Sequence, residues 1–163
     1  MLEFEIRRAQ PGDLFEIWNI LRPMIRAGET YTFPRDMSQK DALAYWLAPD
    51  HQTFVASDRS GLVGTYYLRP NHTGGGAHVA NCGFVVRESA QGRGVASTMC
   101  IHSQGIARKA GFTAMQFNFV LATNEGAIHL WEKLGFETVG RLPEAFNHPR
   151  EGMVDALVMF KRL

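Results

Sequence analysis

Along the chain the spacing of apolar residues changes several times, and each change predicts an element. Leu2, Phe4 and Ile6 alternate with polar, mostly charged neighbours, the two-residue rhythm of a half-buried strand. From Leu14 the spacing widens: Leu14, Ile17, Trp18, Leu21 and Ile25 share one helical stripe that starts near Pro11 and Asp13. Pro23 falls inside that stripe and is expected to bend or shorten the helix, because it lacks the amide proton the ladder needs. Ser38 followed by Asp41 resembles a capping box and opens a second helix carrying Leu43, Trp46 and Leu47.

Two strands come next, "TFVAS" and "LVGTYYL", joined by the turn signal "DRSG". After the flexible "RPNHTGGG", the run "AHVANCGFVV" reads as a buried strand. Beyond a glycine-bearing loop, Val95, Met99, Ile106 and Ala110 mark a helix with Gly111 as its left-handed cap. "AMQFNFV" is a further strand, and "NEGAIHLWEKLGF" a helix with Ile128, Trp131 and Leu134 on one stripe. "ETVGRL" and "MVDALVMF" end the chain as strands with a polar loop between them. The order β-α-α-β-β-β-α-β-α-β-β predicts an α/β arrangement around a mixed sheet. No repeat or linker-like shift in composition divides it, so residues 1–163 are expected to form a single domain.

Composition narrows the function classes. A formal net charge of +1 gives no reason to expect nucleic acid or an anionic membrane as partner. Two cysteines, Cys82 and Cys100, make no disulfide framework, and no Cys/His cluster has metal spacing, so no metal and a reduced, cytoplasmic setting are expected. The charged, alternating N-terminus reads as neither a signal peptide nor a membrane span.

The chemistry centres on "QGRGVAS", where strand passes to helix through Gly92-Arg93-Gly94. It lacks the Lys-Ser/Thr ending of a P-loop. Val95-Ala96-Ser97 also offers no third glycine for a dinucleotide fingerprint. What remains is an open helix N-terminus, whose amides attract anions and whose glycines admit a close approach. Arg93 adds a charge and Ser97 a hydroxyl. Taken alone, the same residues describe an ordinary strand-to-helix turn.

Gln91-Gly92-Arg93-Gly94-Val95-Ala96 resembles the Gln/Arg-x-x-Gly-x-Gly/Ala signature of the Gcn5-related N-acetyltransferase (GNAT) superfamily, and "NEGAIHLWEKLGF" resembles its second motif. A narrower similarity links "AGETYTFP", "HVANCGF", "QFNFV", "HLWEKLGF" and the C-terminal "RLPEAFNHP" and "GMVDALVMFKR" to one branch. That branch includes fungal acetyltransferases acting on proline analogues such as azetidine-2-carboxylate. The resemblance implies an acyl-CoA N-acyltransferase fold: a mixed, mostly antiparallel sheet, splayed between strands four and five, with flanking helices. It implies acetyl-CoA as co-substrate; homodimers are common in the superfamily, but the sequence does not fix the oligomeric state. The diphosphate would lie on Gln91 through Ala96, with Ser97 reinforcing. The pantetheine arm would pair along Phe84, Val85 and Val86, and a backbone N–H there would polarise the thioester carbonyl.

Where many members carry a tyrosine that protonates the sulfur, this chain has Trp131, whose indole donates a hydrogen bond but is no useful proton source. Trp131 then reads as a wall of the cofactor tunnel or as plain core. Asn124 is the catalytic candidate, since the resembled branch uses an asparagine here near the acetyl group and sulfur; Asn is equally an excellent N-cap. Asn81 and Asn118 stand inside apolar strand runs. Each either hydrogen-bonds a sheet irregularity or, as the branch implies, holds the carboxylate or amine of the substrate. Glu29, Thr30, Tyr31 and Phe33 belong to the loop that lines the acceptor site in the superfamily; Glu29 suits orienting an amine but also suits solvent. His78, His129, Asp155 and Cys82 receive no role. The implied activity is acetyl transfer to the amine of a small molecule, an amino acid or an analogue of one, by direct attack. The alternatives are acetylation of a protein N-terminus, lysine or polyamine, and an idle acyl-CoA-sensing domain, to which the Tyr-to-Trp departure gives weight.

Overall fold

A computed structural model describes residues 3–163; Leu2, expected in the first strand, lies outside them. Strand β1 (Glu5–Arg8) leads to helices α1 (Leu14–Ala27) and α2 (Gln39–Trp46). Then come β2 (Gln52–Asp58), β3 (Gly61–Pro70), β4 (Val79–Val86), α3 (Val95–Lys109) and β5 (Ala114–Leu121). The chain closes with α4 (Glu125–Lys133), β6 (Glu137–His148) and β7 (Gly152–Arg162). The element order is the one the spacing predicts.

The strands form one mixed sheet in the order β1-β2-β3-β4-β5-β7-β6. Neighbours are antiparallel except β4 and β5, which run parallel and pair only at Val79↔Ala114 and Ala80↔Met115. Beyond those two pairs the strands diverge, so the sheet is splayed where the resemblance implies. Side chains alternate across a strand, and adjacent residues accordingly enter different cores. Tyr67 and Val85 pack with Trp18 and Trp46 under α1 and α2. Tyr66 and Phe117 pack with Met99, Trp131 and Met159 under α3 and α4. Trp46, fully buried, keeps its indole satisfied by donating to Thr65 Oγ1 at 3.0 Å.

Two expectations are corrected. The first helix is not shortened by Pro23: α1 runs on to Ala27, and Gly28, in the left-handed region, caps it. Pro23 forfeits one ladder bond, but buried Ile17, Ile20 and Leu21 before it and Ile25 after it hold both sides of the helix to the sheet. The polar loop near the C-terminus is mostly strand: β6 continues to His148 through a register shift between Leu142 and Phe146. Pro143 falls in that shift on an edge strand, where a missing amide proton interrupts little.

The Leu134-Gly135-Phe136 ending of α4 has a local cause. Gly135 adopts φ +94°, and Phe136 N–H folds back to the Trp131 carbonyl at 3.0 Å. The turn stacks Phe136 on Phe117, with ring centroids 4.3 Å apart. It thereby fixes the helix carrying Trp131 against the open half of the sheet. Among the described residues, no helix is long and apolar enough to cross a membrane.

Candidate active site

The divergence of β4 from β5 opens a cleft of about 830 Å³, within the size range of small-molecule sites. Which main-chain groups face it follows from parity. Arg87 N–H donates to the Val63 carbonyl at 2.8 Å, and Asn71 N–H to the Val79 carbonyl at 2.8 Å. Odd-numbered residues of β4 therefore exchange bonds with β3, and even-numbered ones turn their N–H and C=O toward the gap. Phe84 and Val86 thus present main-chain groups to the cleft. Val85 does not: paired opposite Thr65, it reaches the cleft only with its side chain, which corrects the expectation of three successive backbone partners.

The exposed edge at Phe84 has an occupant. Tyr31 Oη accepts from Phe84 N–H at 2.9 Å and donates to the Phe84 carbonyl at 3.1 Å. Burial, above all, pushes the Tyr31 phenol well above the usual tyrosine range, so it stays protonated.

At the far end of the cleft the chain enters α3 through Gly92 and Gly94, at φ +77° and +82°. A side chain is strained at these angles, and an added Cβ at either position meets nothing within 4 Å, so the turn presents bare backbone to open space. Thr98 N–H is the first to donate back, to Gly94 O at 3.0 Å. The N–H groups from Gly92 to Ser97 have no main-chain acceptor among the described residues. Gln91 contributes differently, since its own N–H goes to the Glu88 carbonyl at 3.3 Å. Arg93 needs the larger correction. Its guanidinium turns away from the cleft to Glu3 at 2.7 Å and Asp58 at 2.9 Å, over the ring of Phe4. Two carboxylates hold that charge, leaving the Arg93 amide as its contribution to the turn.

The three asparagines all line the cleft. Asn81, 5% exposed, sits where β4/β5 pairing ends; its Nδ2 donates to the Gln116 carbonyl across the split at 2.9 Å. Asn118 lies in a β5 bulge, where the register with β7 shifts between Phe117 and Val120. Its Nδ2 donates to Asn71 Oδ1 at 2.6 Å, and its Oδ1 accepts from Gln116 Nε2 at 2.9 Å. The sheet-irregularity reading is thus realised in both, and both still face the cavity. Asn124 caps α4, its Oδ1 accepting from Ala127 N–H at 3.3 Å. Its Nδ2 has no acceptor among the described residues. Trp131, 8% exposed, is core and wall together, packed on Phe84 and Phe117 with centroids at 5.3 and 5.0 Å.

Of the predicted acceptor loop, Thr30 and Tyr31 line the cleft, while Glu29 and Phe33 do not. Phe33 stacks on Tyr31 at 5.5 Å and supports it from behind. Glu29 pairs with Arg150 of the β6–β7 turn at 3.1 Å, so that hairpin tip reaches the loop. His129 is exposed. His78 lies at the closed end of the split, away from the cleft. Asp155 is held below the usual carboxylate range by Glu144 N–H and by Arg141. Cys82 borders the cleft, but burial raises its thiol pKa, so it offers no thiolate. Sequence reasoning missed Arg69, Tyr45 and Tyr67, which also line the cavity. The alternation along "LVGTYYLRP" held a signal, since Tyr67 and Arg69 share a strand face with each other and, across β4, with Asn81. Among the described residues, no cluster of three His, Cys, Asp or Glu side chains is placed to hold a metal ion.

Comparisons with known proteins agree with this architecture. The model of the acetyltransferase (GNAT) family matches residues 14–136. N-acetyltransferase aca1 of Schizosaccharomyces pombe is 30% identical over 151 residues, spanning 82% of this chain and 72% of that relative. A GCN5-related N-acetyltransferase from Kribbella flavida superposes with a TM-score of 0.94 at 38% identity, over 99% of this chain and 98% of the other. A GNAT superfamily phosphinothricin acetyltransferase from Sinorhizobium meliloti, solved in complex with AcCoA, superposes with a TM-score of 0.86 at 20% identity, over 99% of this chain and 89% of that one. At that identity the last likeness speaks to the fold alone.

Proposed function

Because the chain belongs to the GNAT acetyltransferase family, we propose that it moves the acetyl group of acetyl-CoA to the amine of a small molecule, an amino acid or an analogue of one, by direct attack. The observation that carries this reading is the meeting, in one cleft, of the edge of β4 that lacks a strand partner with the open amides of Gly92 to Ser97. The residues fit the group: bare backbone at the glycines suits a diphosphate, and a strand edge suits an amide-bearing arm.

Acetyl-CoA supplies an activated acyl group as a thioester. The amides from Gly92 to Ser97 hold its diphosphate, and Val86 and Phe84 offer alternate main-chain groups to the pantetheine. Tyr31 first releases Phe84 N–H, which then binds the carbonyl oxygen and favours the negative charge that gathers there. Asn124 Nδ2 donates toward the charge left on sulfur as the new C–N bond replaces the C–S bond, and the proton that the nitrogen sheds passes through water to the departing thiolate. Trp131 walls the passage. None of the residues lining the cleft is Asp, Glu, His or Lys; the acceptor therefore enters as a neutral amine, having given its proton to water.

The test is turnover by the purified chain with acetyl-CoA, a thiol reagent and a panel of amino acids that includes azetidine-2-carboxylate. Release of coenzyme A with amino acids is expected. Release only with peptides or polyamines overturns the acceptor class, and tight acetyl-CoA binding with no release across the whole panel overturns catalysis.

A further inference from the structure

The acceptor end of the cleft is electrostatically one-sided. Arg69 is the one cation among the lining residues, and no carboxylate lines the cavity. Glu29, the acid expected at the acceptor loop, is paired with Arg150 instead. Among the described residues, five arginines, Arg7, Arg87, Arg93, Arg141 and Arg150, pair with an Asp or Glu, and the other arginines without such a partner lie outside the cleft. Arg69 pairs with none among the described residues. Its Nε donates instead to a neutral acceptor, Asn81 Oδ1, at 3.3 Å, and Asn81 is itself pinned to the Gln116 carbonyl. A half-buried guanidinium aimed by an amide keeps its two terminal nitrogens for an incoming anion, and a carboxylate matches that fork with two parallel bonds.

We propose that Arg69 is the specificity-determining residue that takes the acceptor's carboxylate, so that the acceptor is a free amino acid carrying its carboxylate close to the amine. The inference rests on the acetyl-transfer reading and narrows it. Arg69 stands opposite Asn81 in the β3–β4 register, three residues from Phe84, a span of about 10 Å along the strand. The arginine stem and a compact amino acid together bridge that distance, with the amine toward Phe84. A polyamine or lysine-bearing peptide would bring a second cation to an uncompensated one and is disfavoured.

The experiment compares L-azetidine-2-carboxylate and L-alanine, each beside its carboxamide, on the wild type, Arg69→Gln and Arg69→Lys. The wild type is expected to prefer the acids. Arg69→Gln should raise KM for the acids about 10- to 100-fold, the loss of a charged hydrogen-bonded pair, and should erase the preference over the amides. KM for acetyl-CoA stays unchanged, and Arg69→Lys recovers part of the loss. Equal use of acid and amide by the wild type overturns the proposal, as does an equal loss on both in Arg69→Gln. If the wild type acetylates nothing, the acetyl-transfer reading fails separately. Calorimetry of the amino acids on the coenzyme A-loaded protein then decides Arg69 alone: binding lost in Arg69→Gln upholds it, and binding unchanged, or absent in the wild type, overturns it.

Discussion

Asn124 holds two offices that substitution can separate. Its Oδ1 accepts from Ala127 N–H at 3.3 Å, while its Nδ2 has no protein partner among the described residues. Asn124→Asp keeps an acceptor for the helix start, and Asp caps as well as Asn does; it removes the donor. Asn124→Ala removes both. A lost cap costs about 1 kcal/mol, and the 3.3 Å bond is long, which places the loss in the lower half of the usual range. For a chain of this length about 1 kcal/mol lowers Tm by roughly 2–4 °C. Removing one donor aimed at developing charge lowers kcat about 100-fold. The expected pattern is thus Asp with an unchanged Tm and a kcat about 100-fold down, and Ala with the same kcat loss plus the small drop in Tm. Saturating steady-state kinetics beside scanning calorimetry read both. An Asp variant that keeps most of its kcat would leave Asn124 as a cap and nothing more.

Gly94→Ala forces a side chain into φ +82°, which costs about 1–2 kcal/mol. It also sets a methyl group where a phosphate must approach, so acetyl-CoA binding should weaken at least about tenfold; unchanged calorimetric affinity would refute the site. Tyr31→Phe frees Phe84 N–H in advance, and acetyl-CoA should bind about 3- to 10-fold tighter, the worth of one net hydrogen bond. Weaker binding would mean that Tyr31 holds the cofactor rather than yielding to it. With no carboxylate, imidazole or lysine lining the cleft, kcat/KM should climb about tenfold per pH unit up to the acceptor's own amine pKa; a plateau near neutrality would reveal an unseen base. Asp13 is held below the usual carboxylate range by the Arg7 guanidinium and then by Gln10 N–H. A depressed pKa stabilises the fold above the unfolded value and fades as pH falls through the folded one. Asp13→Asn should therefore lower Tm at neutral pH, and the gap to wild type should close below about pH 4.

Element type and order were legible because apolar spacing is dictated by burial on one face, and both cores follow it. Pro23 did not shorten the helix because a local rule about one hydrogen bond is weaker than five buried side chains on the same helix. The segment after Leu142 reads as a loop because its residues are polar, and sequence does not say that it lies on an edge strand, where polar residues and Pro143 are tolerated. In the candidate site, the left-handed glycines and the Asn124 cap were legible as local structure because backbone angles and helix caps restrict residue choice, and the resemblance pointed to them as site residues. Val85, Arg93 and Glu29 could not be resolved. Whether a strand residue faces the gap depends on pairing parity, and where a long charged side chain goes depends on partners such as Asp58, 35 positions away from Arg93, or Arg150 on a distant hairpin. Arg69 escaped notice for the same reason, since an unpaired cation is defined by neighbours that only the fold supplies.

The joint between β4 and β5, two residue pairs long, makes this sheet behave as two leaves on a short hinge. Side chains under α3 and α4 bind the leaves on one face, and Asn81 rivets them at the apex. A guest laid along Phe84 and Val86 would act as a temporary eighth strand, and its departure would give the leaves back their freedom. Amide exchange in Gln116 to Leu121 should then slow on saturation with coenzyme A, and loosening the rivet with Asn81→Ala should be felt first there, in the spread of the leaves.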